Sequence, residues 1–251
     1  MLEDYGEQFD SEGRLYAQRL VMSAQEMSTL LQDLLEYSRL SRADITLQRI
    51  DLASIVVTVL TQLQAELQAQ HAQVRVEIPS FEVMGHRATL IQAVTNLVTN
   101  AIKFVPPDVQ PQVQIWAEER GRGEQGYPSV SEDESMTLLQ PRSDNPTLPP
   151  EVRLPSRYAI PNNRVTPVPA VSGNIRLWIE DNGIGIEPRH QENIFQAFER
   201  LHGVEAYPGT GMGLAIVRKG VERMGGRVGV ESQIGEGSRF WIELLQATST
   251  A

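Results

Sequence analysis

The stretch Arg176-Leu-Trp-Ile-Glu-Asp-Asn-Gly-Ile-Gly-Ile186 constrains this chain more than any other. Its first half alternates, with Leu177 and Ile179 to one side and Trp178 and Glu180 to the other, which is the period of a strand. The strand runs into Asp181, and Gly183 and Gly185 follow. Glycine lets backbone approach a flat ligand closely, and a carboxylate at that point can accept a hydrogen bond from an exocyclic amine. Asp-Asn-Gly is also a strong turn signal, so this stretch alone leaves a turn and a ligand site both open.

A second stretch, about 87–104, reads as an amphipathic helix. Leu90, Ile91, Val94, Leu97, Val98, Ala101 and Ile102 fall on one side, and Gln92, Asn96, Thr99, Asn100 and Lys103 on the other. Asparagine is a poor mid-helix residue because its side chain competes for the backbone. Two of them one turn apart, with Lys103 almost a turn further, point to a polar wall facing a ligand rather than a merely solvated face. The amide oxygen of Asn100 suits a hard cation, and the ammonium of Lys103 suits phosphate.

The third stretch is Pro208-Gly-Thr-Gly-Met-Gly-Leu214, ahead of a helix over 215–224. Backbone amides of such a loop can cradle an anion on the helix dipole. A dinucleotide fingerprint is disfavoured: it requires glycine where Leu214 stands, and no strand precedes the loop. The Walker A pattern fails as well, because no Lys-Ser or Lys-Thr pair follows the glycines.

Elsewhere the chain gives mostly scaffold. Residues 12–39 read as one long helix, with Leu20, Ala24, Met27, Leu31 and Leu34 in alternating steps of four and three and Val21, Leu30 and Leu35 widening the seam. Gln25, Glu26, Gln32, Asp33 and Glu36 form the opposite face. So wide a seam needs a partner, and residues 1–8 are too few to supply one; the chain is expected to begin partway through a helical hairpin. Strands are expected at 45–50, 73–78, 81–84, 112–118, 227–231 and 238–244, with Asp51 capping a core helix that carries Leu52, Ile55, Val56 and Val59. A helix is expected from Glu187-Pro188, with Ile194, Phe195 and Phe198 as its apolar residues. Residues 121–173 hold nine of the fifteen prolines and read as an irregular insertion between neighbouring strands.

Composition narrows the partners. A net charge of −10 argues against nucleic acid and against an anionic membrane surface. The chain has no cysteine, which excludes disulfides and thiolate metal sites and fits a reducing cytosol. Runs such as Ala53-Ser-Ile-Val-Val57 are far too short to span a bilayer.

Taken together, the three stretches resemble the catalytic, ATP-binding domain of sensor histidine kinases, within the wider ATPase group that includes gyrase, Hsp90 and MutL. Asn96-Leu-Val-Thr-Asn-Ala-Ile-Lys-Phe104 resembles the N box and Asp181-Asn-Gly-Ile-Gly185 the first glycine box. Phe195-Gln-Ala-Phe198 with Glu199-Arg-Leu201 resembles the F box, and Gly209-Thr-Gly-Met-Gly-Leu214 the second glycine box. Residues 1–43 resemble the end of the dimerisation and histidine-phosphotransfer hairpin, in wording closest to kinases that follow phytochrome or PAS sensors.

The resemblance implies an α+β fold: a two-layer α/β sandwich, its mixed sheet covered by helices on one face, at 44–246, preceded by a long bundle-type helix. It implies that Asp181 holds the adenine amino group, that Asn100 binds Mg²⁺, and that Asn96 and Lys103 lie near the phosphates. Phe104, Gly183, Gly185, Ile186, Arg200, Gly209, Thr210, Gly211, Met212, Gly213 and Leu214 complete the implied ATP site, residues 200–213 forming its lid. The implied activity is γ-phosphoryl transfer from Mg-ATP to histidine, for relay to a response-regulator aspartate. Implied partners are a second copy through helix 12–39, a receiver domain and an upstream PAS, GAF or phytochrome-type sensor, in the cytoplasm. The acceptor pattern, His followed by Asp or Glu, fits none of His71, His86, His190 and His202. An ATP-binding module without transfer activity is the alternative.

Overall fold

Five strands, in the order Gln73–Glu77 (β2), Gln112–Arg120 (β4), Asn174–Asp181 (β5), Gly237–Leu245 (β7) and Arg227–Gln233 (β6), form the central sheet of the chain, which is known from a computed structural model that describes residues 10–42, 45–120, 173–201, 207 and 209–247. In chain order the elements are α1 (Ser11–Arg42), β1 (Gln48–Asp51), α2 (Leu52–Gln62), α3 (Gln64–Ala69), β2 (Gln73–Glu77) and β3 (Glu82–Gly85). Then come α4 (Arg87–Lys103), β4 (Gln112–Arg120), β5 (Asn174–Asp181), α5 (Gly213–Arg223), β6 (Arg227–Gln233) and β7 (Gly237–Leu245). Strand β2 runs parallel to β4 and the other neighbours are antiparallel, so the sheet is mixed. A separate antiparallel pair joins β1 to β3.

Alternation gives the sheet two different faces. On one, Val113 and Ile115 of β4, Ile175, Leu177 and Ile179 of β5, and Phe240, Ile242 and Leu244 of β7 are buried in one core with Leu52, Ile55, Val56 and Val59 of α2, Leu90, Val94, Leu97 and Val98 of α4, and Val217 and Val221 of α5. Each such side chain contributes roughly 1.5–3 kcal/mol by leaving water. The expected cap is present: Oδ1 of Asp51 accepts from Ala53 N at 3.2 Å and starts α2.

No helix covers the opposite face among the described residues. There the register places Trp116 opposite Trp178, and Trp178 opposite Trp241. Trp116 and Trp178 stack at 5.7 Å and Trp241 meets Trp178 edge-on at 6.4 Å. The Arg176 guanidinium lies 4.0 Å from the Trp241 ring centre and pairs with Glu243 at 2.7 Å, while Trp178 Nε1 donates to Glu118 at 3.0 Å.

The helix expected from Glu187-Pro188 is not there. The segment instead makes two single 3₁₀ turns, Pro188–His190 and Asn193–Phe195. Gln191 Nε2 donates to the carbonyls of Ile186 (3.2 Å) and Ser232 (2.8 Å), which holds the chain against β6. Phe198 takes φ 67°, off the helical path. Ile194 and Phe195 reach the core, but Phe198 is exposed.

Helix α1 is longer than the seam that announced it, and its seam is open: Leu20, Met27, Leu31 and Leu34 are exposed. Its half-buried residues Leu30, Asp33, Tyr37 and Leu40 form a different stripe, on the side that meets α5. Among the described residues no helix is long and apolar enough to cross a membrane. The insertion expected at 121–173, apart from Gly173, lies outside the described residues, as do His202 and residues 203–206 and 208 of the lid expected at 200–213.

Candidate functional site

A cleft of about 270 Å³ opens between α4, the end of β5 and the glycine loop that leads into α5. Its buried end is built on Asp181, the last residue of β5. In the β5–β7 register Asp181 faces Ser238, and Oδ1 accepts from Ser238 N at 3.1 Å and from Gly183 N at 2.9 Å. Burial pushes the Asp181 carboxyl up to about 6, against the pull of those two N–H donors and with a small push from Glu180. The second oxygen, Oδ2, accepts no hydrogen bond among the described residues and is left for the cleft.

The turn after Asp181 is shaped by close approach. Gly185 has φ 72°, and a Cβ there would collide with the Gln233 carbonyl. Ile184 N donates to the Phe104 carbonyl at 2.9 Å, tying this turn to the end of α4.

The α4 wall carries Asn96, Asn100, Lys103 and Phe104 into the cleft. Asn96 Nδ2 donates to the Gly213 carbonyl at 3.2 Å, linking α4 to the first residue of α5. The Asn100 side chain makes no hydrogen bond among the described residues. Lys103 Nζ lies 4.5 Å over the Phe104 ring, and the Phe104 ring lies 5.2 Å from that of Tyr207. Burial, and secondarily the Arg200 guanidinium, pull the Lys103 amine below its ordinary value. Arg200 Nη2 donates to the Tyr207 carbonyl at 3.2 Å.

The glycine loop closes the far end. Gly211 has φ 73°, and its carbonyl accepts from Phe198 N at 3.1 Å. Helix α5 begins at Gly213, so the amides of its first turn lack intrahelical partners. The cleft is therefore a desolvated carboxylate at one end and two cations with a helix N-terminus at the other.

Most of the residues singled out by sequence meet here: Asn96, Asn100, Lys103, Phe104, Asp181, Gly185, Ile186, Arg200, Gly209, Thr210, Gly211, Gly213 and Leu214 all line the cleft. Gly183 and Met212 stand behind its wall instead. Gly183 holds Asp181 through its amide, and Met212 is fully buried. Sequence reasoning missed Ser238 and Phe240 from β7, Tyr207, and Thr29 and Asp33 from α1. Only Tyr207, beside the glycine loop, gave a local signal.

Residues 159–248 match the model of the family described as histidine kinase-, DNA gyrase B-, and HSP90-like ATPase. The chain is homologous to phytochrome-linked and other sensor histidine kinases. It is 32% identical to cyanobacterial phytochrome B of Nostoc sp., over 97% of this chain and 26% of the relative. It is 28% identical to the sensor histidine kinase AruS of Pseudomonas aeruginosa, over 92% of this chain and 19% of that one. The chain thus spans about a quarter or less of the length of these curated relatives. In fold it is similar to full-length ShkA, solved in complex with AMPPNP, at 23% identity and a TM-score of 0.61, covering 97% of this chain and 41% of that chain.

Proposed function

We propose that the cleft binds Mg-ATP and that the chain is the ATP-binding catalytic core of a sensor histidine kinase. The observation that carries this reading is the opposition inside one cleft of the free Oδ2 of Asp181 and the cationic end made by Lys103, Arg200 and the glycine loop. Oδ2 would accept from the adenine amino group while the glycines let backbone lie against the ring. Lys103, Asn96 and the first-turn amides of α5 would hold phosphate oxygens. The amide oxygen of Asn100, which has no hydrogen-bond partner among the described residues, fits a hard cation. Among the described residues no cluster of three or more His, Asp or Glu side chains forms a cation site alone, so phosphate oxygens would supply further ligands. Bound Mg²⁺ would neutralise phosphate charge, and the protein's part in phosphoryl transfer would be positioning and electrostatic stabilisation.

The phosphoryl acceptor would be a histidine followed by a carboxylate, and His71, His86 and His190 have other surroundings. His86, for example, caps α4 and pairs with Thr89 at 2.9 Å. The open seam of α1 supports pairing with a second copy, and the phytochrome relatives support a phytochrome-type sensor as partner; a receiver domain, in the cytoplasm, would take the phosphoryl group onward. An ATP-binding module without transfer is the second reading, favoured by those histidine contexts.

The test has two parts. Calorimetry should show ATP binding to this chain, weakened in Asn100→Asp and Asp181→Asn by about 10–100-fold; parental affinity in both variants would place the site elsewhere. With γ-labelled ATP the chain should carry no acid-labile label, and should label an added protein that holds a complete helical hairpin with its acceptor histidine. ATP binding without label on that protein selects the second reading.

A further inference from the structure

Asp33 is a carboxylate in a cleft that the proposed function fills with phosphate, and that function has no use for it. It belongs to the half-buried stripe of α1, with Leu30, Tyr37 and Leu40, and not to the open seam. At one end of the stripe the Thr210 hydroxyl donates to Asp33 Oδ2 at 2.5 Å and accepts from Met212 N at 3.3 Å. At the other end Arg223 Nη1 donates to the Ser41 carbonyl at 2.8 Å. These two bonds join α1 to the glycine loop and to the end of α5.

The position of Asp33 is that of an anion on phosphate donors. Thr210 lies between two glycines of the loop, and Asp33 lines the same cleft as Lys103 and Arg200. Lys103 Nζ packs against Gly209, the residue before Thr210. A hydroxyl beside an ammonium and a helix N-terminus is the donor set that a phosphate oxygen needs. Two anions cannot share it without repulsion, and Thr210 has only one hydroxyl proton to give.

We infer that Asp33 is an internal competitor for the phosphate end of the cleft: its carboxylate holds α1 on the glycine loop, and nucleotide phosphates displace it. This rests on the ATP reading above. Linkage then makes the effect reciprocal: a docked α1 lowers nucleotide affinity, and bound nucleotide loosens α1 by the same factor. A helix that continues toward other modules would carry cleft occupancy to them, and their state to the cleft.

The test compares ligands that do and do not reach Thr210. In the full chain, Asp33→Ala should bind ATP and ADP about fivefold or more tighter than the parent, within the usual range of site-to-site coupling, and bind adenosine unchanged. Asp33→Asn, which keeps the shape and the acceptor but not the charge, should shift in the same direction by less. Hydrogen exchange gives the reciprocal side: ATP should speed exchange across residues 29–41 of the parent, and adenosine should not. An Asp33→Ala that binds ATP no tighter, or more weakly as a cation ligand would, overturns the inference while leaving the ATP reading intact. Equal tightening for adenosine overturns it too. A parent that binds neither ATP nor ADP removes both.

Discussion

The two ends of the cleft are built on different principles. At the Asp181 end the carboxylate is fixed by backbone: Gly183 N and Ser238 N hold one of its oxygens, and the turn is clamped between Phe104 and Gln233. At the other end the geometry rests on side chains: Lys103 on the Phe104 ring, Arg200 on the Tyr207 carbonyl, Thr210 on Asp33. Backbone fixing suits the discrimination of one flat, uncharged shape, because a misplaced donor leaves a buried acceptor unpaired. Side-chain fixing suits a flexible, highly charged group, whose attraction tolerates small displacements. The difference predicts that substitutions at the first end will act on the fold as well as on binding, and those of the Lys103, Arg200 and Thr210 side chains at the second chiefly on binding.

The largest expected effect breaks the backbone-fixed end. Gly185→Ala would place a methyl on the Gln233 carbonyl in a left-handed conformation, and should destabilise the fold by on the order of 2–4 kcal/mol. Gly213→Ala is the contrast from the other end: its Cβ would meet nothing nearer than Asn96 at 3.7 Å. Denaturation of the two variants should separate them clearly, with Gly213→Ala within roughly 0.5 kcal/mol of the parent.

The next effect sharpens the comparison by ligand. Asp181→Asn should weaken adenosine, ADP and ATP alike, because all three present the same amine. Lys103→Ala should weaken ATP and ADP by about tenfold, spare adenosine, and lose its effect at high salt. Equal losses for adenosine in both variants would erase the distinction between the ends.

A pH effect follows from the raised Asp181 carboxyl. Its folded value of about 6 lies above the ordinary 3.8, so the folded state binds the proton more tightly than the unfolded one between those values. Stability should therefore fall as pH rises from 3.8 to about 6, by at most about 3 kcal/mol, and stay level above. Asp181→Asn should remove that slope in pH-dependent melts. Binding has the opposite sign: below about pH 6 the proton sits on Oδ2, which then presents a donor and is a far weaker acceptor for an amine, and adenosine affinity should drop by up to about tenfold per unit.

How far the site could be read from sequence follows from where each part sits. Asn96, Asn100 and Lys103 lie on one helix, whose period alone separates the wall from the core. Asp181 and Gly185 lie on one strand end, and Asp51 caps its own helix. In each case a single element carries the signal. Ser238 reaches Asp181 only through the pairing of β5 with β7, and Asp33 reaches Thr210 across 177 positions. No local pattern marks such a meeting, so Asp33 read as one more polar residue on a solvated face. The 3₁₀ turns after Pro188 were hidden for a related reason: Gln191 holds them from outside the segment's own periodicity.

The row Trp116, Trp178 and Trp241 contains every tryptophan in the chain, and none of the three lines the cleft. Indole emission from this protein is consequently the light of a single patch, on the side of the sheet that faces away from α4 and α5. Rings stacked at 5.7 Å are close enough to exchange excitation and to give coupled bands in near-ultraviolet circular dichroism. That signal follows the melting of the sheet and is nearly blind to events in the cleft. Tyr207, on the cleft rim, is the chromophore placed to see a ligand. The melting of the sheet can therefore be followed by indole emission, without attaching a dye, whatever occupies the cleft.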